Sequence, residues 1–305
     1  MFKKILSAAT VICLCFTLVA CGGSSSKSDK EMTLLKGQYS EITIIMEMAK
    51  ILIEENTDIK VNYQDSMNTV AAAKTVENGD VDLYVSYDGT LLSTILQSDP
   101  SEVPKNESLF DYTNKLAKEK KKIELLSKFG FENTYAMAIK EDFAKKNNIK
   151  TISDLTKYSK DLVFGAEHEF FDEEGSVRFK PVNSAYGLEW KDSKSLDIGL
   201  KYSSIDSGNI DATVVYSTDG LNKKSDLRIL VDDKGFFPEY NAGFLMRESL
   251  FEEYKETAPK LKEILSKLDN AITNEQMIEM NYQVDANKKD IHEVANQFLI
   301  DNNLK

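Results

Sequence analysis

Apolar positions along this chain follow two rhythms that alternate. Over 40–55, Ile44, Ile45, Met48, Ile51 and Leu52 fall at helical spacing; over 59–63, Ile59, Val61 and Tyr63 alternate as in a half-buried strand. A second helical pattern over 69–78 stops at Gly79, a residue suited to the left-handed turn that ends a helix. Residues 82–87 then read as a short strand. Apolar runs at 134–139 and 242–246 are candidates for links between two lobes, and the pattern after Leu250 is helical from 252 to about 299. Helix and strand in alternation predict an α/β fold with largely parallel sheets.

One piece of this pattern occurs twice. Asn78-Gly79-Asp80-Val81-Asp82 is echoed by Ser207-Gly208-Asn209-Ile210-Asp211. Each copy follows a helical pattern, enters a strand, and reaches a tyrosine at the same offset, Tyr87 in one copy and Tyr216 in the other. A glycine-containing loop follows each tyrosine, Asp88-Gly89-Thr90 and Ser217-Thr218-Asp219-Gly220. Ligands of α/β sheets sit beyond the carboxyl ends of strands, so two such tyrosines predict a cleft lined from both sides.

The N-terminus sets the compartment. Lys3 and Lys4 precede an apolar stretch to Ala20 that has the length of a signal-peptide core and is short for a membrane span. Leu18-Val19-Ala20-Cys21 resembles a lipoprotein processing site, which makes 1–20 a signal peptide and Cys21 the lipidated residue. Small polar residues follow, and 21–32 reads as a flexible tether. Cys13 and Cys15 leave with the signal, so the exported protein keeps no thiol for a disulfide, a metal site or nucleophilic catalysis. The formal charge of −12 becomes more negative when the two lysines go, which argues against a nucleic-acid partner.

Enzyme signatures are sparse. There are two histidines, His168 and His292, and no zinc-protease, nucleophile-elbow or phosphate-loop motif. The richest polar cluster is Gly165-Ala166-Glu167-His168-Glu169-Phe170, either a carboxylate–imidazole acid/base pair or a hydrogen-bonded turn at a strand end. Tyrosine is the opposite case, with 13 spread along the chain. An aromatic face attracts a cation by roughly 0.5–2 kcal/mol per ring. A methylated ammonium has no N–H to donate, so a box of rings is its natural receptor.

Five segments carry a family resemblance: Tyr84-Val85-Ser86-Tyr87-Asp88-Gly89-Thr90, Asn133-Thr134-Tyr135-Ala136, Gly165 through Phe170, Tyr216-Ser217-Thr218-Asp219-Gly220 and Phe236-Phe237-Pro238-Glu239-Tyr240. In this order they resemble the binding proteins of glycine betaine/carnitine/choline (osmoprotectant) ABC transporters, from about Leu34 to the C-terminus. The resemblance implies a two-lobed type II periplasmic-binding-protein fold, lobe 1 taking 33–134 plus 243–305 and lobe 2 taking 135–242. It implies a cage of Tyr87, Tyr135, Tyr216 and Tyr240, with Thr90 orienting the ligand's polar end and Gln38 as a further polar contact. It also implies a monomer with no cofactor and no chemical step, lipid-anchored on the outer face of the cell membrane, that delivers its ligand to an ABC permease.

Two departures bear on the ligand. Where the family often has a lysine near the mature N-terminus, the segment here is Gly37-Gln38-Tyr39-Ser40-Glu41; where it often has an arginine after the HEF motif, Asp172-Glu173-Glu174 stands, with Arg178 beyond. Both lost cations would grip a carboxylate. Choline, which ends in a hydroxyl, is therefore favoured over glycine betaine and carnitine, with ergothioneine as the alternative. Two readings of other classes stay open: a secreted hydrolase using Glu167 and His168, and a surface lipoprotein for adhesion or signalling.

Overall fold

The computed structural model describes residues 30–172, 177–197 and 200–305. The leader, Cys21 and the tether to residue 29 lie outside the described residues. The last part of the expected tether is not tether: Glu31 and Met32 open strand β1 (Glu31–Leu35), where Met32 is fully buried.

Strand β1 pairs in parallel with β2 (Lys60–Gln64). The helix between them, α1 (Ser40–Asn56), buries Ile44, Ile45, Met48 and Leu52 without residue and packs along the C-terminal helix Ile291–Asp301. Helix α2 (Thr69–Asn78) starts at Asn68, whose side chain accepts from the Ala71 N–H, and ends at Gly79 with φ +86°. It leads to β3 (Tyr84–Tyr87), which joins a three-stranded sheet of order β3-β10-β4 with β4 (Ile123–Leu126) and β10 (Ala242–Arg247). A second sheet has the order β7-β6-β8-β5-β9. Its strands are β5 (Tyr135–Lys140), β6 (Val163–Glu167), β7 (Asp192–Leu196), β8 (Ala212–Tyr216) and β9 (Leu227–Ile229).

The sheets are less parallel than expected. Strands β6, β7 and β8 are parallel, but β5 runs antiparallel to β8 and β9, and β10 antiparallel to β3 and β4. The two antiparallel intruders are the apolar runs read as links. Each is instead a fully paired inner strand of one sheet. The chain crosses just before each of them, at Glu132 and Asn241, which form an antiparallel bridge, and the Asn133 N–H donates to the Tyr240 carbonyl at 3.1 Å.

Buried apolar residues form two large clusters. One draws on Met32 through Phe131 and Ala242 through Leu299, the other on Met137 through Phe237. The repeated sequence has a repeated structural cause. In one copy the Thr33 N–H donates to Asp82 Oδ2 at 2.7 Å while the Asp82 N–H donates to the Thr33 carbonyl at 2.8 Å. In the other, the Val163 N–H donates to Asp211 Oδ2 at 2.8 Å and the Asp211 N–H to the Val163 carbonyl at 2.7 Å. Each aspartate thus clasps the backbone of a neighbouring strand, β1 at Thr33 and β6 at Val163. The left-handed glycine before it, Gly79 or Gly208 (φ +72°), turns the chain out of the preceding helix.

Candidate functional site

Both tyrosines of the repeat close their strands, β3 at Tyr87 and β8 at Tyr216, and each ring is stacked on a second tyrosine. Tyr216 is the cross-strand partner of Tyr135, with ring centroids 5.0 Å apart, planes 22° apart, and hydroxyls at 3.3 Å. Tyr87 stacks on Tyr240, which lies just ahead of β10, at 5.3 Å and 25°. A cleft of about 540 Å³ is lined by Tyr39, Ser40, Glu41, Tyr87, Thr90, Asn133 and Tyr240 on one side and Tyr216, Thr218 and Asp219 on another, with Asn281 and Asp285 from the helix Asn274–Asp285.

The Tyr87–Tyr240 pair is heavily braced. The Tyr240 hydroxyl shares a hydrogen bond with Thr90 Oγ1. Beneath the rings, buried Asp88 accepts from the Gly89 N–H at 2.7 Å, the Asn241 N–H at 3.0 Å and Asn241 Nδ2 at 2.9 Å. Burial pushes the Asp88 carboxyl up to about 6 even though those donors and Lys128 pull it down. Gly89 is required by close approach: a Cβ there would stand 2.3 Å from Tyr240 Cε2.

The Tyr87 hydroxyl donates to Glu41, in the first turn of α1. Asn133 Nδ2 donates to Glu41 Oε1 at 3.0 Å, and Asn281 Nδ2 to Oε2 at 3.3 Å and to the Thr218 carbonyl at 2.9 Å. Burial raises the Glu41 carboxyl above its ordinary range against the pull of these donors. It also raises the hydroxyls of Tyr87, Tyr135, Tyr216 and Tyr240. All four rings are therefore neutral phenols at physiological pH, with the electron-rich faces that attract a cation.

Of the residues singled out in the sequence, Tyr87, Thr90, Tyr216 and Tyr240 come together on the cleft, with Tyr135 behind Tyr216. Gln38 does not join them: it is exposed, its Nε2 donates to the Met67 carbonyl at 2.9 Å, and Tyr39 and Ser40 take its place on the wall. Lys36 pairs with Asp65 at 2.9 Å, and Arg178 Nη1 donates to the Val177 carbonyl. Neither lines the cleft; among the described residues its charged lining is Glu41, Asp219 and Asp285.

The Glu167–His168 pair separates. Glu167 is buried against buried Lys201 at 3.4 Å, whereas His168 is exposed and meets Ser195 at 2.5 Å and Asp197 at 3.3 Å. The acid and the imidazole thus answer to different neighbours, which removes the geometry a hydrolase reading needs. Glu41, Asn133 and Asn281 were the residues the sequence reading passed over as site members. Their roles arise from partners up to 240 positions apart, a separation that local pattern does not encode. The local signals were the places of Glu41 and Asn133 in segments compared with the family.

The comparisons with known proteins establish the family. Residues 31–301 match the family model described as the substrate binding domain of ABC-type glycine betaine transport systems. An ergothioneine transport permease/ergothioneine binding protein of Helicobacter pylori is 35% identical over 274 residues, 89% of this chain and 47% of that relative, so the chain spans about half its length. The carnitine transport binding protein of Listeria monocytogenes is 30% identical over 305 residues, 99% of this chain and 96% of the relative. A solved structure described as a glycine betaine/carnitine/choline ABC transporter is 31% identical with a TM-score of 0.82, covering 90% of this chain and 99% of that one. The family is one of transport proteins and not of enzymes. Two cores, a tyrosine-walled cleft between them and a match over nearly the whole described chain make this protein a member of the family of solute-binding proteins of osmoprotectant ABC importers.

Proposed function

We propose that the chain is exported, carries lipid on Cys21, and captures a small quaternary-ammonium compound for an ABC permease in the cell membrane. It acts as a monomer without cofactor, with lobe 1 formed by 33–134 plus 243–305 and lobe 2 by 135–242. The observation that carries the reading is the meeting of Tyr87, Tyr216 and Tyr240 at one acid-lined cleft, with Tyr135 stacked behind Tyr216. Each ring that faces the cleft offers roughly 0.5–2 kcal/mol to a methylated ammonium. Ligand then favours the closed arrangement of the lobes to the extent that it binds that arrangement more tightly.

Choline is the favoured ligand. A carboxylate finds no Lys, Arg or His among the described cleft-lining residues and meets three acids instead. The second reading is ergothioneine, favoured by the similarity to the Helicobacter pylori relative with that name. Isothermal titration of the mature protein against choline, glycine betaine, carnitine and ergothioneine tests both. Tight binding with choline ahead of glycine betaine is the expected result. A folded, ligand-free protein that gives no heat with any of the four would overturn the ligand class.

A further inference from the structure

The rings account for a ligand's ammonium but leave its polar pole without a partner. Gln38 is spent on the Met67 carbonyl, and Thr90 Oγ1 is joined to the Tyr240 hydroxyl. Other hydroxyls of the wall are engaged in the same way: Tyr87 donates to Glu41, Ser40 donates to Asp285, and Tyr216 shares a bond with Tyr135. Thr218 is fully buried, with its Oγ1 shut off from water. Tyr39 stands apart from all of these. It lines the cleft and is 55% exposed. Its backbone carbonyl accepts from Thr43, but among the described residues its hydroxyl has no hydrogen-bond partner.

No local task explains this side chain. Tyr39 is the N-cap of α1, a place where Ser, Thr, Asp and Asn are favoured because their side chains accept from the first helical N–H groups; the tyrosine makes no such bond. Its exposure also means that the core gains little from the ring. What Tyr39 does have is position. The walls around its hydroxyl desolvate it and raise it above its ordinary range, and Glu41, Tyr240 and Tyr216 are near enough to raise it further. Tyr39 in turn helps to raise the Tyr87 hydroxyl. The Tyr39 hydroxyl therefore reaches in among the cage tyrosines, toward Tyr240 on one side of the cleft and Tyr216 on the other. It stays a neutral phenol there, able both to donate and to accept.

We infer that Tyr39 is a ligand-binding residue whose hydroxyl holds the polar pole of the bound compound, the task expected of Gln38 and Thr90. This rests on the tyrosine-cage reading and adds the contact for the other end of the same ligand. A phenol that donates and accepts serves an alcohol, a carboxylate or a ring nitrogen alike. Tyr39 thus anchors the pole, and the choice against a carboxylate falls to the acids that share the wall, Glu41, Asp219 and Asp285.

The test is titration of the mature wild-type protein and Y39F with two compounds. One is whichever of choline, glycine betaine, carnitine and ergothioneine binds the wild type most tightly. The other is tetramethylammonium, which has the cation and no polar pole. Y39F keeps the ring and removes the hydroxyl alone. It should weaken the first compound roughly three- to tenfold, the worth of one hydrogen bond, and leave tetramethylammonium within about twofold of wild type. Its melting point should match wild type, because the lost hydroxyl bonds nothing in the protein. Undiminished affinity of Y39F for the first compound would overturn the inference. So would equal losses for both compounds, which would give Tyr39 a role in shaping the wall and none in holding the pole. Wild-type protein, shown to be folded and ligand-free, that binds none of the five would bring down the cage reading and this inference with it; wild type that binds, with Y39F unaffected, overturns the Tyr39 contact alone.

Discussion

The two tyrosine pairs have nearly the same stacking geometry and reach it by different means. Tyr135 and Tyr216 are direct neighbours across an antiparallel ladder, and the hydrogen bond recorded for each hydroxyl is the one they share. Tyr87 and Tyr240 are tied to Glu41 and Thr90, pressed against Gly89, and carried on the Asp88–Asn241 clamp that closes the crossover. Tyr87 is 6% exposed and Tyr216 37%. One half of the cage is therefore fixed before ligand arrives, while the other presents its rings at the ends of two inner strands, where fewer side-chain contacts hold them. A fixed half spares the entropy cost of ordering rings on binding, and an adjustable half lets the second lobe close on ligands of different length.

The widest gap between the halves should appear on truncation. Tyr87→Ala removes a buried ring and a donor to a buried carboxyl, so we expect about 3–5 kcal/mol lost from stability together with ligand affinity. Tyr216→Ala removes a partly exposed ring and should cost less than about 1 kcal/mol of stability while weakening cation binding by roughly 0.5–2 kcal/mol. Denaturant melts and titrations of both variants check this. Equal stability losses would erase the distinction between a fixed and an adjustable half.

A smaller perturbation sharpens the same contrast without touching a ring. In Gly89→Ala the added carbon would lie 2.3 Å from Tyr240 Cε2 and 2.6 Å from Cδ2, so the ring must move off its stack with Tyr87. Overpacking of this kind costs about 1–3 kcal/mol. We expect a melting point lower by a few degrees and ligand affinity down by about tenfold, because the fixed half no longer holds its shape. An alanine variant with wild-type affinity would mean that Tyr240 need not be held where it stands.

The sequence made the fixed elements legible and the long-range ones not. Helix α1, β2 and the Gly79 stop follow from apolar spacing and one glycine, and they stand within a residue or two of where the pattern put them. The repeat revealed Tyr87 and Tyr216 because the same strand-clasping aspartate precedes each. Strands β5 and β10 were visible as apolar runs, but strand direction and partner are settled by contacts with distant parts of the chain, so their inner places in the sheets were not. Gln38 failed for a local reason. It sits one residue before Tyr39, and at that turn into α1 a shift of one position exchanges the cleft wall for solvent.

The narrowest expected difference concerns the charge beneath the fixed pair. Burial holds Asp88 at about 6, well above an ordinary aspartate near 4, and the Gly89 and Asn241 donors and Lys128 only partly offset it. The folded protein therefore takes up this proton before the unfolded chain does as pH falls. Asp88's contribution to stability is then fully present below about pH 4, shrinks as pH rises, and is gone once pH passes through about 6. Each pH unit inside that window is worth at most about 1.4 kcal/mol. Asp88→Asn removes the titration, so wild type should gain on the variant by on the order of 1 kcal/mol between pH 6 and pH 5 and by almost nothing between pH 8 and pH 7. Paired urea melts across pH 4–8 measure the difference. A constant offset between the two proteins would mean that the clamp carries its charge at no cost, and that the fixed half of the cage owes its rigidity to packing around Gly89 and Tyr240 alone.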